Sequence, residues 1–183
     1  MSLILTGERL VLRDFALDDW PAVHAYSVRP EVFRFQTWGP NTPEESRGYV
    51  DAQIAHAHTQ PRTDYTLAMV LTGTEELIGA CGIVVRSRQQ RSGELAYVVH
   101  PDHWGHGYAT EAAHLILHFG FATLGLHRVF ATCDPRNTAS AHVMEKVGMQ
   151  YEGRLRDTML IRDGWRDSLV YSVLEHEWQA PSR

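Results

Sequence analysis

A chain of 183 residues, 44% of them hydrophobic, suits one compact domain spanning residues 1–183, since this length can bury a substantial core. The formal net charge of −5 argues against the basic electrostatic footprint that nucleic-acid binding needs, and is compatible with cationic partners such as amines. The sequence contains neither a run of about 18 apolar residues nor a signal-peptide pattern at the N-terminus, so we expect a cytoplasmic protein without a membrane segment.

The first part of the chain is predicted to contain one strand and two helices. Alternating apolar and polar residues at 8–15 predict a half-buried strand, and the pattern at 18–28 predicts an amphipathic helix. The segment Thr42–Glu45 combines an N-cap threonine, a proline and a glutamate, so a second helix should begin there and end near His58. The aromatic segment Phe33–Trp38 is too short for a regular element; it either lines a substrate pocket or only packs against the core.

Three strands rich in apolar and β-branched residues follow, at 65–71, 77–86 and 94–100. Short polar segments at 72–74 and 87–93 separate them. Connections of this length join neighbouring strands, so we expect an antiparallel meander.

A long apolar pattern at 109–124 predicts a helix that is buried on most sides, and alternation at 127–134 predicts the next strand. The helix is long enough to bring this strand parallel to the strand at 94–100. The remaining elements are predicted as a helix at 137–147 and strands at 149–159 and 167–174, joined through residues 162–165, whose Asp-Gly pair is a turn signal. Seven strands and about four helices predict an α/β (α+β) fold with a mixed sheet.

Four residues that suggest other chemistry are better explained as structure. Cys81 and Cys133 lie in apolar runs predicted as strands, so we expect buried free thiols in a reducing compartment. His114 and His118 are spaced like two metal ligands on one helix, but the glutamate of a His-Glu-x-x-His motif is missing. We therefore expect no metal site.

Two closely spaced glycines, Gly105 and Gly107, join the strand at 94–100 to the long helix. A helix start has unpaired backbone N–H groups and the positive end of the helix dipole, so it can hold an anion without a basic side chain. Glycine lets the backbone approach such an anion closely. The glycines alone are equally consistent with a phosphate-binding turn and with an ordinary connection.

An ordered set of short motifs resembles the GNAT superfamily of N-acetyltransferases. The segment Gly105–Ala112 follows a strand, and Asn137–Ser140 and Glu145–Met149 come later in the chain. The opening residues 6–10 and the closing residues 163–167 also fit, so the resemblance covers nearly the whole chain. Within the superfamily, the set is most similar to the branch that acetylates the N-terminal amine of ribosomal proteins.

The resemblance implies a mixed, mostly antiparallel, seven-stranded twisted sheet, splayed between its fourth and fifth strands, that binds acetyl-CoA. The family's signature is Gln or Arg, two residues, Gly, one residue, then Gly or Ala; here Trp104, Gly107 and Ala109 occupy these places. His106 stands where Lys or Arg is common, so the backbone amides should supply most of the pyrophosphate contact. The implied cofactor-binding residues are Val98, Val99, His100, Gly105, His106, Gly107, Tyr108, Ala109, Thr110 and Asn137.

The resemblance also implies catalytic roles. Glu94 matches a position that often carries a glutamate facing the acceptor, so it is either the general base, acting directly or through water, or a solvated strand-edge residue. A backbone N–H near Val98 would stabilise the oxyanion. The family's usual tyrosine is replaced by Met144, so Ser140 is the candidate that protonates or orients the departing thiolate, with Tyr108 as a weaker alternative.

The sequence therefore predicts transfer of an acetyl group from acetyl-CoA to a primary amine by direct attack in a ternary complex. The acceptor is a ribosomal-protein N-terminus, a polyamine, an amino acid or an antibiotic, and we expect the helices at 18–58, the segment Phe33–Trp38 and the hairpin around Trp165 to select it. The alternative is a non-catalytic acyl-CoA-binding or regulatory module with the same fold. The aromatic C-terminal strands could supply the surface of a homodimer.

Overall fold

The computed structural model describes residues 2–179, which form one sheet of eight strands in the order β1-β2-β3-β4-β5-β6-β8-β7. The strands are β1 (Ile4–Thr6), β2 (Leu10–Arg13), β3 (Asp64–Leu71), β4 (Leu77–Ser87), β5 (Ser92–Val99), β6 (Arg128–Cys133), β7 (Gln150–Ile161) and β8 (Gly164–Leu174). Neighbouring strands are antiparallel except β5 and β6, which are parallel. The predicted mixed, mostly antiparallel sheet and the crossover between β5 and β6 are confirmed.

Helices cover both faces of the sheet. Residues 2–179 contain α1 (Trp20–Ser27), α2 (Pro30–Phe33), α3 (Pro43–His58), α4 (Tyr108–Ala122) and α5 (Thr138–Lys146). One core cluster joins α1 and α3 to the sheet through Val23, Val50 and Ala80. The other joins α4 and α5 to the opposite face, where Ile116 and Met144 are fully buried. None of these helices is long and apolar enough to span a membrane.

The prediction of seven strands was wrong by one, because a short additional strand, β1, precedes the predicted first strand and forms a hairpin with it. β1 pairs with β2, and the Gly7 N–H donates to the Leu10 carbonyl at the turn between them, at 2.8 Å. The strand that was predicted to begin at Glu8 therefore begins at Leu10. A three-residue strand is too short to show the alternation that identifies strands in a sequence.

The capping signal before α3 is confirmed. Thr42 Oγ1 accepts from the Glu45 N–H at 3.1 Å, and Glu45 Oε2 accepts from the Thr42 N–H at 2.7 Å. The helix ends at His58, as predicted. The fifth helix, α2, was not predicted; it is a single turn with Pro30 at its first position.

The sheet opens between β5 and β6. Their register contains three residue pairs and ends at Glu94 and Phe130, whereas β5 continues to Val99 and β6 to Cys133. Different helices pack against the two diverging strand ends, so the gap is a wedge whose apex lies at Glu94. The predicted splay between the fourth and fifth strands of the sequence analysis lies here.

The C-terminal hairpin is longer than predicted and reaches the aromatic segment. β7 and β8 are joined by the two-residue turn Arg162-Asp163, since Ile161 pairs with Gly164. The Arg162 guanidinium donates to the carbonyl oxygens of Phe33, Gln36 and Trp38 at 2.7–3.1 Å. The hairpin tip thus attaches the irregular segment Phe33–Trp38 to the sheet.

Both cysteines are free and buried, as predicted. Burial raises the pKa of the Cys133 thiol to about 11, and it raises the pKa of Cys81 further. Both thiols are therefore protonated at neutral pH and are poor nucleophiles.

The position of β5 depends on a close approach at Gly79. A Cβ at Gly79 would lie 2.1 Å from the Val98 carbonyl oxygen, so Gly79→Ala must push β4 and β5 apart. We expect this variant to lose about 2–12 °C in melting temperature, because overpacking costs ~1–3 kcal/mol and each kcal/mol shifts Tm by ~2–4 °C at this size. Gly153→Ala in β7, where a Cβ meets nothing within 4 Å, should melt like the wild type. Equal melting temperatures in calorimetry would contradict the argument.

Candidate active site

Glu94 lies at the apex of the wedge between β5 and β6. The register pairs it with Val84 on one side and with Phe130 on the other. Arg86 on β4 donates to Glu94 Oε2 through Nε at 2.7 Å, and the glutamate side chain is 24% exposed. Glu94 is thus a carboxylate that reaches solvent while a cation fixes its position.

Strand alternation divides the side chains of β5 between the two faces of the sheet. Val98 lies opposite Ala80, which belongs to the cluster beneath α1 and α3, so Glu94 and Val98 point to that face. Tyr97 and Val99 point to the face covered by α4 and α5. The candidate base is therefore on the opposite face of the sheet from Ser140 in α5.

The backbone N–H groups of β5 lie in the plane of the sheet and point alternately toward β4 and into the wedge. The His100 N–H donates to the Ile78 carbonyl at 2.7 Å, so alternate residues of β5, including Val98, direct their N–H groups toward β4. Tyr97 and Val99 direct theirs into the wedge. The donors for a ligand in the wedge are therefore the neighbours of Val98 rather than Val98 itself, which the sequence could not distinguish.

The glycine turn between β5 and α4 depends on left-handed backbone. Gly105 has φ of 79° and Gly107, the N-cap of α4, has φ of 81°. Residues with a Cβ rarely adopt such angles, so both glycines are needed for the conformation itself. The N–H groups of the first helical turn, at Tyr108–Thr110, project from this end of α4 with the positive end of its dipole.

Arg9 supplies a cation at this turn that sequence reasoning missed. Its Nε donates to Glu111 Oε2 and its Nη1 to the His106 carbonyl, both at 2.8 Å. A Cβ at Gly107 would lie only 3.6 Å from Arg9 Nη2. The guanidinium therefore both holds the turn and places a cation beside His106, which stands where the family commonly has Lys or Arg.

The aromatic residues of the turn are packed against one another. The ring of His106 stacks on Tyr108 with centroids 5.7 Å apart, and Arg9 lies 5.0 Å from the Tyr108 ring. His100 Nδ1 accepts from the Asp102 N–H at 3.2 Å, which begins the short turn before the glycines. The Trp104 indole donates to the Val99 carbonyl at 2.8 Å, so Trp104 caps the end of β5. Tyr108 is thus at the glycine turn, not beside Ser140.

Asn137 and Ser140 form the first turn of α5. Asn137 is the N-cap, and its Oδ1 accepts from the Ser140 N–H at 3.2 Å. Asn137 therefore has a structural role as the helix N-cap, and this role leaves its amide Nδ2 for a ligand. Met144, on the position where the family usually has a tyrosine, is fully buried in the core.

Tyr97 connects β5 to Ser140 and was not recognised from the sequence. Its hydroxyl lies 2.9 Å from both the Ser140 hydroxyl and the Ser140 carbonyl. Burial raises the pKa of Tyr97 well above its usual value, so the phenol stays protonated. When that proton is donated to Ser140 Oγ, the serine hydroxyl proton is free for a third partner.

The two histidines that are spaced like metal ligands have different surroundings. Residues 2–179 contain no group of three or more His, Cys, Asp or Glu side chains placed to hold an ion. His114 is partly buried and its Nδ1 has no partner among these residues, while burial lowers its pKa. His118 packs beside Trp178 instead, with centroids 5.8 Å apart.

The cofactor residues predicted from the sequence lie at one end of the wedge. Val98, Val99 and His100 form the end of β5, and the segment Gly105–Thr110 begins α4. Asn137 and Ser140 lie at the start of α5, and the Ser140 hydroxyl contacts the hydroxyl of Tyr97 on β5. A wedge between two parallel strands, with the glycine turn and the start of α4 at its open end, is the arrangement that the resemblance to N-acetyltransferases implies.

The chain belongs to the GNAT family of acetyl-CoA-dependent N-acetyltransferases, because the model of the acetyltransferase (GNAT) domain matches residues 9–150. An uncharacterised N-acetyltransferase of Bacillus subtilis, YnaD, is 33% identical over 95% of this chain and 98% of its own length. A GNAT-family acetyltransferase from Bacillus anthracis has a crystal structure with a TM-score of 0.84 and 32% identity, covering 96% of this chain and 100% of that one. Spermidine N(1)-acetyltransferase of Escherichia coli K12 is 25% identical over 92% of this chain and 88% of its own.

Arg9→Gln tests the role of the cation at the glycine turn. We expect the Kd of CoA in calorimetry to rise about threefold to tenfold, because charge-assisted contacts to phosphate contribute ~1.5–3 kcal/mol when complete and less at an exposed site. Arg91→Gln is the matched control, since Arg91 has similar exposure, 50% against 46%, and also pairs with a carboxylate. Equal affinities for the two variants would remove Arg9 from the site.

Tyr97→Phe tests whether the phenol positions Ser140. We expect kcat to fall about threefold to tenfold with little change in the KM of acetyl-CoA, because one hydrogen bond of ~0.5–1.5 kcal/mol is lost while the ring stays packed. The pH profile of kcat should keep its shape, since Tyr97 remains protonated. Adding Ser140→Ala should cost no more than Ser140→Ala alone. Additive losses would show that the two hydroxyls act separately.

Proposed function

We propose that this N-acetyltransferase transfers the acetyl group by direct attack of a neutral primary amine, with both substrates bound together in the wedge between β5 and β6. The observation that carries the proposal is the position of Glu94 at the apex of the wedge on one face, with Ser140 and Tyr97 on the other. An amine approaching from the Glu94 face would meet a thioester whose sulfur lies toward Ser140.

The residues present fit acetyl-CoA. The glycine turn offers unpaired N–H groups and the Arg9 guanidinium to the pyrophosphate. The backbone of Tyr97 and Val99 faces the wedge, where an extended pantetheine arm can pair with it as an added strand. When bound, acetyl-CoA supplies the acetyl thioester; the chain supplies its orientation.

Glu94 would serve as the base. A nucleophilic amine must be neutral, and an α-amine with a pKa of about 7.7–8.0 needs less help than a lysine-like amine near 10.4. As the C–N bond forms and the C–S bond breaks, one proton leaves the nitrogen for Glu94, directly or through water. Arg86 holds the carboxylate in place for this transfer.

Backbone and hydroxyl groups would balance the remaining charge. An N–H of Tyr97 or Val99 can donate to the carbonyl oxygen as negative charge develops there. The Ser140 hydroxyl can donate a hydrogen bond or its proton to the departing sulfur, and solvent then restores the serine. Because a thiolate is a tolerable leaving group at neutral pH, orientation of the sulfur alone would suffice.

The acceptor is a primary amine. The polyamine enzyme among the relatives supports a small amine, whereas the resemblance to the ribosomal branch supports a protein N-terminus. Segment Phe33–Trp38 and the hairpin tip, which the structure joins through Arg162, would line the acceptor side. Exposed apolar residues on this hairpin, such as Leu160 and Trp165, would supply the surface of the expected homodimer.

Glu94→Gln tests the base. In an assay of CoA release with a panel of amines, we expect kcat to fall about 10²-fold or more, within the range for general base catalysis, while the Kd of acetyl-CoA is unchanged. The loss should be larger for amines of higher pKa, which depend more on the base.

Arg86→Gln is the matched control, because it breaks the same ion pair and keeps the carboxylate. It should retain activity within a few-fold of the wild type. Equal losses for both variants would mean that the ion pair matters only structurally. Thermal protection by CoA without turnover of any amine would favour the non-catalytic module instead.

A further inference from the structure

A cavity of about 220 Å³ lies beside the end of β6. The residues around it come from the loop after β6 and from the hairpin of β7 and β8: Asp134, Pro135, Arg136, Arg154, Asp163, Trp165, Arg166 and Asp167. This volume suits one functional group of a ligand rather than a whole substrate, since ligand pockets usually measure about 300–1,000 Å³.

The cavity opens on the same face of the sheet as Glu94. Phe130 pairs with Glu94 on one side and with Ser172 on the other, so these three side chains share a face. Along β8, Arg166 lies on the same side as Ser172, because side chains alternate. By the registers of β5, β6 and β8, Arg166 lies near the level of the end of β5, across the wedge.

The carboxylates of the cavity are already occupied. Arg136 donates to both oxygens of Asp134 and to Asp163. Burial raises the pKa of Asp134, but the hydrogen bonds from Arg136 and the nearby charges of Arg136 and Arg166 lower it below its usual value overall. Arg154 donates to Asp167 at 2.5 Å. The formal charges of the three arginines and three aspartates around the cavity cancel. The ion pairs among these residues, however, involve only Arg136 and Arg154.

Among residues 2–179, Arg166 makes no ion pair with a carboxylate, although its charge lies near enough to Asp134 to help lower the pKa of that carboxyl. It is 9% exposed, and its buried Nε has no hydrogen-bond partner among residues 2–179. The one side-chain acceptor that its guanidinium meets there is the weakly accepting sulfur of Met159. A buried guanidinium with unused donors is costly, and its planar fork matches a carboxylate.

We propose that Arg166 binds a carboxylate carried by the acceptor amine, and so selects amines that carry a carboxylate over polyamines. This rests on the amine transfer proposed above and names its substrate class. Because β8 lies two strands from β5 and Arg166 lies six residues along β8 from the level of Glu94, the backbones of Glu94 and Arg166 are roughly 20 Å apart. The carboxylate must then be several bonds from the amine, as in a peptide whose second residue is glutamate, and not adjacent to it as in a free α-amino acid.

The aromatic segment encloses this acceptor path. The Arg136 guanidinium lies 5.3 Å from the Phe35 ring, and Arg162 donates hydrogen bonds to main-chain carbonyl groups of the same segment. An acceptor that spans from Glu94 to Arg166 would pass beneath these residues. Its amine and its carboxylate would then be fixed at two points of one face.

Two tetrapeptide amides that differ in one group test the proposal: Ala-Glu-Ala-Ala and Ala-Gln-Ala-Ala. For the wild type we expect kcat/KM to be about tenfold or more higher for the glutamate peptide, with spermidine poorer still. In Arg166→Met the preference should fall to within threefold through loss of the glutamate peptide alone, with the KM of acetyl-CoA unchanged. Arg91→Met, the same change at an exposed arginine, should keep the preference.

Calorimetry of the two peptides with the CoA-bound protein gives a readout without turnover. Arg166-dependent preference in binding without acetylation would support the carboxylate site and overturn the transfer. Acetylation with equal kinetics for both peptides, or best with spermidine and unaffected by Arg166→Met, would overturn the carboxylate site and leave the transfer intact. Arg166→Met should fold at least as well as the wild type, because it removes a buried unpaired charge; Arg166→Lys should recover part of the preference.

Discussion

The hydrogen-bonded register between β5 and β6 stops after three pairs, and both strands continue apart. Backbone N–H and C=O groups that lose a partner inside a protein must find another one. Part of this requirement is met by the protein itself, since the Trp104 indole binds the Val99 carbonyl. The remaining groups of Tyr97 and Val99 face the wedge, where the proposed pantetheine arm can pair with them through its own amides. The proposed binding of an extended, amide-containing arm thus depends on the point where the sheet stops pairing.

The open end of the wedge combines local and distant contributions. The left-handed glycines and the start of α4 are encoded within a few residues. The cation comes from Arg9, 102 residues before Glu111 in the chain. The Glu111 carboxylate accepts hydrogen bonds from the backbone N–H and from the side chain of Arg9, so the hairpin of β1 and β2 is fixed to the glycine turn. The N-terminal strands are therefore part of the proposed phosphate site.

What the sequence predicted reflects how local each signal is. The capping box of Thr42 and Glu45 and the glycine turn were readable because a few adjacent residues determine them. The crossover of α4 was readable from the long apolar pattern. Tyr97 was missed because an alternating strand tyrosine looks like any core residue; its partner Ser140 is 43 residues away. Arg166 was missed because burial and an unused donor exist only once β7, β8 and the loop after β6 have assembled.

Arg162 holds the segment Phe33–Trp38 by three carbonyl oxygens of the main chain. Every residue type has this carbonyl group, so the attachment does not depend on which side chains the segment carries. Substitutions within the segment can therefore reshape the acceptor side while its course stays fixed. A family with one transfer chemistry and many amine substrates would gain new specificities here with little risk to folding, and directed evolution could begin at these positions.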